Sequence, residues 1–343
     1  MPYKFFSNSK NAWQAMYEAI DSAQESVYLE MYIFEDNIDN FDFFKLLQEK
    51  AKKGVRVRII LDYFGSFSFS NASISKLKEA GVELFFISYF FHRTHRKILV
   101  VDESMAFVGG VNFYKASFSW NDLVIQAKGR LVVSIIRSFA RVYAECGGKD
   151  SLVLAQNKRI ILHKTRAWLI EHFPVGKNSS LKMIYKEYLS KAKRNIILVT
   201  PYFMPKRWFI ATLHQAVLRG VLVEVLVPKI TDYYILDRIC YFFMFKLSKL
   251  GVRFFMMPKM NHAKAMIVDG KEGMVGSNNL DFLSFELNSE VGIFLKDANM
   301  VRKLAEITDE WKKNAVLFDS KTYRPSWFDY ILSPLFSLFT RIF

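Results

Sequence analysis

Short apolar runs rich in β-branched residues alternate along this chain with amphipathic stretches that stop at a glycine. Val27 to Phe34 reads as a strand, Phe41 to Lys53 as a helix ended by Gly54, and Val55 to Leu61 as a second strand. A further helix, glycine and strand run from Ile74 to Phe86 through Gly81. The same order returns downstream as strand Ile196 to Phe203, helix Arg207 to Arg219, Gly220, strand Val221 to Val227, and Tyr241 to Met256 through Gly251. The first pair of glycines is 166 residues apart (220 less 54) and the second 170 (251 less 81), a drift that loops absorb. Strand and helix alternating in this way predict an α/β fold with a mainly parallel or mixed sheet, built by tandem duplication.

Between the copies, Cys146 to Ser180 carries Gly147, Gly148, Pro174, Gly176 and the polar run Lys177-Asn178-Ser179-Ser180, so the boundary is expected here. The first repeat is assigned to residues 1–150 and the second to 151–323, with Arg159 to His163 as a candidate strand inside the connection. Residues 324–343 mix aromatic and aliphatic side chains with Arg324 and Arg341. That segment reads either as a tail packed on the core or as an amphipathic membrane contact, kinked at Pro334, with Trp327 and the phenylalanines at acyl depth.

Each copy then carries the same polar constellation. His95, Lys97, Asp102, Gly109 and Asn112 are repeated in order and spacing by His262, Lys264, Asp269, Gly276 and Asn279. An extended chain turns residues two apart to one face, so each histidine and its lysine share a site. The apolar runs Ile98 to Val101 and Ala265 to Val268 follow as buried strands, with Ala106 to Val108 as the next short strand of the first copy. Facing each other, the copies would present two imidazoles and four donors, Lys97, Lys264, Asn112 and Asn279, which suits a tetrahedral anion. A nucleophilic imidazole needs its second nitrogen held by an acceptor, and each half supplies a downstream carboxylate, Asp122 and Glu290. Asp102 and Asp269 are counted with the catalytic candidates, although the simpler reading of each is a structural contact beside the motif.

Composition narrows the partner. Against 33 Asp and Glu stand 48 Lys and Arg, a net charge of +15 that favours anionic partners. The 33 phenylalanines then weigh toward lipid and against nucleic acid. Cys146 and Cys240 lie far apart with no partner pattern, so neither a disulfide framework nor a zinc site is indicated, and a reducing compartment fits. No stretch has the length of an uninterrupted membrane span, and the nearest, Tyr233 to Leu250, is broken by Asp237, Arg238 and Lys246. The N-terminus reads as neither signal peptide nor spanning helix. The remaining histidines, His92, His163, His172 and His214, read as structural, and a metal pair of His92 with His95 is opposed by Arg93, Arg96 and Lys97. The basic runs Lys50 to Lys53 and Lys191 to Arg194 read as solvated helix ends.

The paired motif resembles the phospholipase D superfamily, and within it the chain looks like a bacterial cardiolipin synthase. The narrower likeness rests on Leu29-Glu-Met-Tyr-Ile-Phe-Glu-Asp36, Lys53-Gly-Val-Arg-Val57, His95-Arg-Lys-Ile98, Gly109-Gly-Val-Asn112, Thr200-Pro-Tyr-Phe203 and Leu287-Asn288 before Glu290. It implies two tandem phospholipase D-like repeats packed with pseudo-twofold symmetry, and an interfacial transfer of a phosphatidyl group with an anionic phospholipid as substrate. By the same resemblance His95 attacks phosphorus, His262 serves as acid and base, Glu290 pairs with His95 and Asp122 with His262 across the axis. The lysines and asparagines hold the phosphate oxygens, so no metal or cofactor is expected. Typical members begin with two transmembrane helices and this chain starts at the catalytic region, so the expectation is a cytoplasmic protein, peripheral on the inner face of the cell membrane. Leu283, Ser289 and Asn121 stand where relatives commonly have arginine, phenylalanine and arginine, which bears on headgroup or acceptor preference. The alternatives are a phospholipase D-type hydrolase, a metal-independent phosphodiesterase acting on nucleic acid, and a basic membrane scaffold with a relic site.

Overall fold

The computed structural model describes residues 3–36, 38, 41–87, 93–158, 166–174, 180–327 and 329–330. It opens with a strand that the apolar pattern does not announce, β1 (Tyr3–Asn8), which lies at a sheet edge with only one fully buried side chain. Asn8 then caps helix α1 (Ser9–Ser22), its side chain accepting from the Asn11 amide at 2.9 Å. Next come β2 (Ser26–Met31), α2 (Phe43–Lys52), β3 (Arg56–Asp62), α3 (Asn71–Glu79), β4 (Glu83–Ile87), β5 (Arg93–Thr94), β6 (Ile98–Val101), β7 (Met105–Gly109) and β8 (Asn121–Lys128). Their sheet has the order β1-β8-β7-β6-β2-β3-β4, parallel among β2, β3 and β4 and antiparallel elsewhere. All six residues of β2 are buried, as a central strand covered on both faces requires.

Helices α4 (Arg130–Glu145) and α5 (Ser151–Gln156) follow, and α5 packs on α4. The boundary expected after residue 150 would fall between these two helices, and Val153 of α5 is buried. Arg159 to His163 lies outside the described residues.

The second repeat runs β9 (Ala167–His172), α6 (Ser180–Lys191), β10 (Asn195–Val199), β11 (Phe203–Met204), α7 (Arg207–Leu218), β12 (Leu222–Pro228), α8 (Tyr234–Ser248), β13 (Arg253–Met257), β14 (Ala265–Val268), β15 (Glu272–Gly276), β16 (Leu280–Asp281), α9 (Phe282–Glu286), β17 (Asn288–Leu295), α10 (Ala298–Lys313) and β18 (Val316–Leu317). In its sheet β9-β17-β15-β14-β10-β12-β13 matches the first sheet strand for strand, with β18 added at the far edge. The fold is thus α/β, two tandem repeats of a mixed sheet flanked by helices.

Each sheet buries its outer face under its own helices, and the inner faces meet. Ile98, Val100, Val108 and Ile125 of one repeat share a core with Ile267, Val275, Val291 and Ile293 of the other, closed by Ile135 and Phe139 of α4 and by Val301 and Leu304 of α10. One strand crosses over: β5 leaves the first sheet and pairs in parallel with β17 of the second, Thr94 opposite Ser289. Its counterpart is the parallel bridge between Asn121 and Asn261. Among the described residues no helix is long and apolar enough to cross a membrane.

Asp102 and Asp269 sit at the far ends of β6 and β14, in left-handed conformations with φ of 48° and 54°. The Asp102 carboxylate accepts from the amides of Gln24, Glu25 and Ser26, at 3.0, 2.8 and 2.9 Å for the shortest bond of each. Asp269 does the same for Lys193, Arg194 and Asn195 at 2.9, 2.7 and 3.1 Å. Each clamps the turn before a central strand. Partial burial pushes both carboxyls up, but the backbone donors outweigh it and hold them below the ordinary value. Asp269→Ala is predicted to lower unfolding free energy by about 1–2 kcal/mol, read by urea denaturation. A carboxyl depressed in the folded state stabilises above the unfolded pKa of about 4, so the difference should vanish as acid passes through the folded value. A large loss of turnover with unchanged stability would return Asp269 to the reacting groups.

Candidate active site

Exchange of β5 and of the Asn121–Asn261 bridge brings the two motifs together. His95 N–H donates to the Ser289 carbonyl at 2.9 Å and His262 N–H to the Asn121 carbonyl at 2.7 Å, so each histidine enters beside the other repeat's carboxylate strand. The residues after those carbonyls are Glu290 and Asp122. His95 Nδ1 lies 3.0 Å from both carboxylate oxygens of Glu290, and His262 Nδ1 lies 2.9 Å from Asp122 Oδ2. Both carboxylates are buried and accept from the Nδ1–H tautomer, which leaves Nε2 of each ring with its lone pair.

The lysines lie beside the histidines, each 2 % exposed, and the histidines are 6 % exposed. Each lysine Nζ donates to the carbonyl of its own histidine, Lys97 at 2.7 Å and Lys264 at 2.5 Å, and Lys264 Nζ also lies 2.8 Å from His262 Nε2. Asn112 Oδ1 accepts from the Ile33 amide at 3.2 Å, which turns its NH2 the other way. The Asn279 side chain has a buried Oδ1 with no hydrogen-bond partner. Six of the eight catalytic candidates thus converge. Asp102 and Asp269 do not; the strands β6 and β14 separate them from the histidines.

Burial dominates the electrostatics. It pushes the His95 imidazole well below its ordinary value, with Lys97 and Lys264 adding to the effect. The His262 imidazole falls to about 4, by burial first and Lys264 second, against the opposing pull of Asp122. Burial likewise lowers Lys97 strongly and Lys264 to about 8. The carboxylates differ: burial pushes Glu290 up, while His262 and Lys264 overcome burial at Asp122 and hold it ionised. Near neutrality the free site holds two neutral imidazoles beside the buried ammonium of Lys264, a receptacle for an anion.

Several neighbours were not singled out from sequence. The Tyr32 ring meets His95 edge-on with centroids 4.8 Å apart and lies under Lys97 Nζ at 4.9 Å. Trp120 lies 5.7 Å from His262. Tyr32 lies in the Leu29 to Asp36 run and Trp120 two residues before Asp122, where only their place beside a catalytic residue could have marked them. Ser277 donates its hydroxyl to Glu290 Oε2, whereas the matching Gly110 leaves the space that Asp122 fills. His172, read as structural, is buried directly opposite Glu290 on β9, with no hydrogen-bond partner at either ring nitrogen.

A family described as cardiolipin synthase, PLD-like domain, matches residues 16–143 and again residues 185–311. The chain belongs to this family of phospholipase D-like proteins. With the family comes the reaction class, an enzyme of the phosphatidyltransferase type. A cardiolipin synthase of Geobacillus sp. (strain WCH70) is 30% identical over 94% of this chain and 68% of its own length. A probable cardiolipin synthase of Bacillus subtilis (strain 168) is 28% identical, over 88% of this chain and 64% of its own. Among solved structures, phosphatidylserine synthase of Haemophilus influenzae Rd KW20 superposes with a TM-score of 0.77 at 14% identity, over 99% of this chain and 93% of that one. Polyphosphate kinase of Porphyromonas gingivalis gives 0.66 at 12% identity, over 99% of this chain and 53% of that one. At those identities the two structures speak for the fold alone.

The Gly110 contact yields a test. A Cβ at this position would stand 2.2 Å from Asp122 Oδ1. Gly110→Ala should therefore displace the carboxylate that holds His262 and lower kcat roughly 100-fold, with secondary structure unchanged by circular dichroism. Ser277→Ala, which removes a donor without a clash, should cost less; the reverse order in steady-state assays would refute this reading of the two positions.

Proposed function

We propose that this enzyme joins the phosphatidyl group of one phosphatidylglycerol to the glycerol headgroup of another, forming cardiolipin and free glycerol. The observation that carries the reading is the pair of cross-repeat histidine–carboxylate dyads, His95–Glu290 and His262–Asp122, around two buried lysines. His95 Nε2 attacks phosphorus, and the glycerol of the first lipid leaves with a proton from His262. The hydroxyl of a second phosphatidylglycerol then gives its proton to His262 and attacks the phosphohistidine, which frees His95. Lys97, Lys264, Asn112 and Asn279 hold the nonbridging oxygens as charge develops in the five-coordinate transition state.

The direction of the pKa shifts supports this order. An imidazole pushed down by burial is neutral and nucleophilic before substrate arrives. A phosphodiester anion between the lysines offsets their charge and raises both imidazoles, so His262 gains its proton in the complex that needs it. Asp122, held ionised, stabilises that imidazolium. In the cell the enzyme works as a peripheral protein on the inner face of the membrane.

Phosphatidylglycerol vesicles with purified protein should yield cardiolipin and glycerol in equal amounts. His95→Ala and His262→Ala should each lose at least about 1,000-fold in turnover, and full turnover by either would sink the two-histidine assignment. Phosphatidic acid as sole product would make the enzyme a hydrolase, and cleavage of DNA without lipid turnover a nuclease.

The pH dependence follows from Lys264. Its ammonium, lowered to about 8, is charged below that pH and lost above it, so kcat/KM should fall above pH 8. Lys264→Arg should be slower but free of that alkaline limb. A limb unchanged in the variant would remove Lys264 from the titration.

A further inference from the structure

Of the sixteen large apolar side chains that the described residues expose, six are grouped in threes on two equivalent loops. After β3 come Tyr63, Phe64 and Phe67, at 53, 47 and 82 % exposure; after β12, running into α8, come Tyr233, Tyr234 and Ile235, at 58, 73 and 63 %. The two loops follow corresponding strands of the matching sheets, β3 and β12.

Contacts tie both loops to the mouth. The Arg93 guanidinium lies 5.3 Å from the Phe64 ring and donates to Tyr32 OH at 3.2 Å, and Tyr32 touches His95. Asp62, where the first loop starts, accepts from the Thr94 amide at 2.9 Å, next to His95. In the second repeat the Tyr233 ring lies 6.3 Å from Tyr202, whose hydroxyl donates to Asp232. Asp232 is within electrostatic reach of Lys264, and Tyr233 of Tyr32 and Tyr114.

Soluble surfaces rarely gather this much exposed apolar side chain without a partner. We propose that the two loops, with Tyr63, Phe64 and Phe67 on one side and Tyr233, Tyr234 and Ile235 on the other, are a docking rim that seats the site mouth on a phospholipid bilayer. The histidines are 6 % exposed, so a phosphodiester reaches them only if its headgroup is presented at the mouth. A protein seated on this rim would close the mouth; a bilayer supplies the substrate through it. Tyrosine side chains suit headgroup depth and phenylalanine and isoleucine the acyl boundary. Arg93 stands where lipid phosphates would lie, and the net charge of +15 favours an anionic leaflet. The lysines in the last turns of α2 and α3 do not mark this face, because these helices start at the site end of the strands and finish at the other. The inference rests on the lipid reading for its occupant, but its test does not.

Phe67→Ser/Tyr234→Ser should be compared with Met183→Ser/Leu218→Ser, whose native side chains are 59 and 65 % exposed away from the rim. Co-sedimentation with mixed phosphatidylglycerol–phosphatidylcholine vesicles should weaken at least about tenfold in the rim variant and stay unchanged in the control. Turnover of vesicular phosphatidylglycerol should fall in parallel, while turnover of short-chain, monomeric phosphatidylglycerol stays near wild type, which also certifies the fold. Wild-type vesicle binding by the rim variant, an equal loss in the control, or an equal loss on monomeric substrate would overturn the rim. If wild type binds vesicles through the rim but converts neither form of lipid, the function reading fails and the rim stands.

Discussion

The exchange of backbone between the repeats is the constraint on which the site depends. Two parallel pairings, Thr94 with Ser289 and Asn121 with Asn261, place each histidine one residue beyond its own repeat's contact and beside the other repeat's carboxylate. Backbone amides set this register, so the His95–Glu290 and His262–Asp122 distances follow from strand geometry rather than from side-chain reach. The shared core of inner-face β-branched residues then fixes the angle between the sheets. Neither repeat alone contains a complete dyad.

The same exchange accounts for two departures from the cardiolipin synthase pattern. Ser289 and Asn121 hold the opposite histidines through their carbonyls. Any residue provides a carbonyl, so the side chain there is free to differ without disturbing the register. Leu283 is 43 % exposed on α9, outside the dyads. What separates this chain from the family's usual residues therefore lies around the reacting groups, which are themselves intact.

Much of this was legible in the residues. Matched spacing exposed the duplication, and β6 and β14 have the bounds their apolar runs predict, Ile98–Val101 and Ala265–Val268. Edge strands were not legible: β1 buries one side chain of six and its aromatic residues do not alternate with polar ones, so it carries no clear signal of pairing. The strand expected to reach Phe34 stops at Met31, because Tyr32 turns out of the sheet to meet His95 and Phe34 bridges to Phe113 instead. Asp102 and Asp269 share the motif's spacing with the histidines, yet a four-residue strand carries them to the opposite end of the sheet. Linear spacing measures distance along the chain, and only the pairing decides which ends meet.

The two halves of the site are alike in topology and unlike in charge. Where the first repeat has Gly110 the second has Ser277: Asp122 fills the space the glycine leaves and is held ionised by His262 and Lys264, while burial pushes Glu290 up against the pull of Lys97 and of the Ser277 hydroxyl. The two carboxyls therefore shift in opposite directions although both are buried, because the charges beside them differ. Duplication alone would give two equivalent histidines. Their carboxylate partners are not equivalent, and the asymmetry comes from the charges and hydrogen bonds around each rather than from the fold that the repeats share.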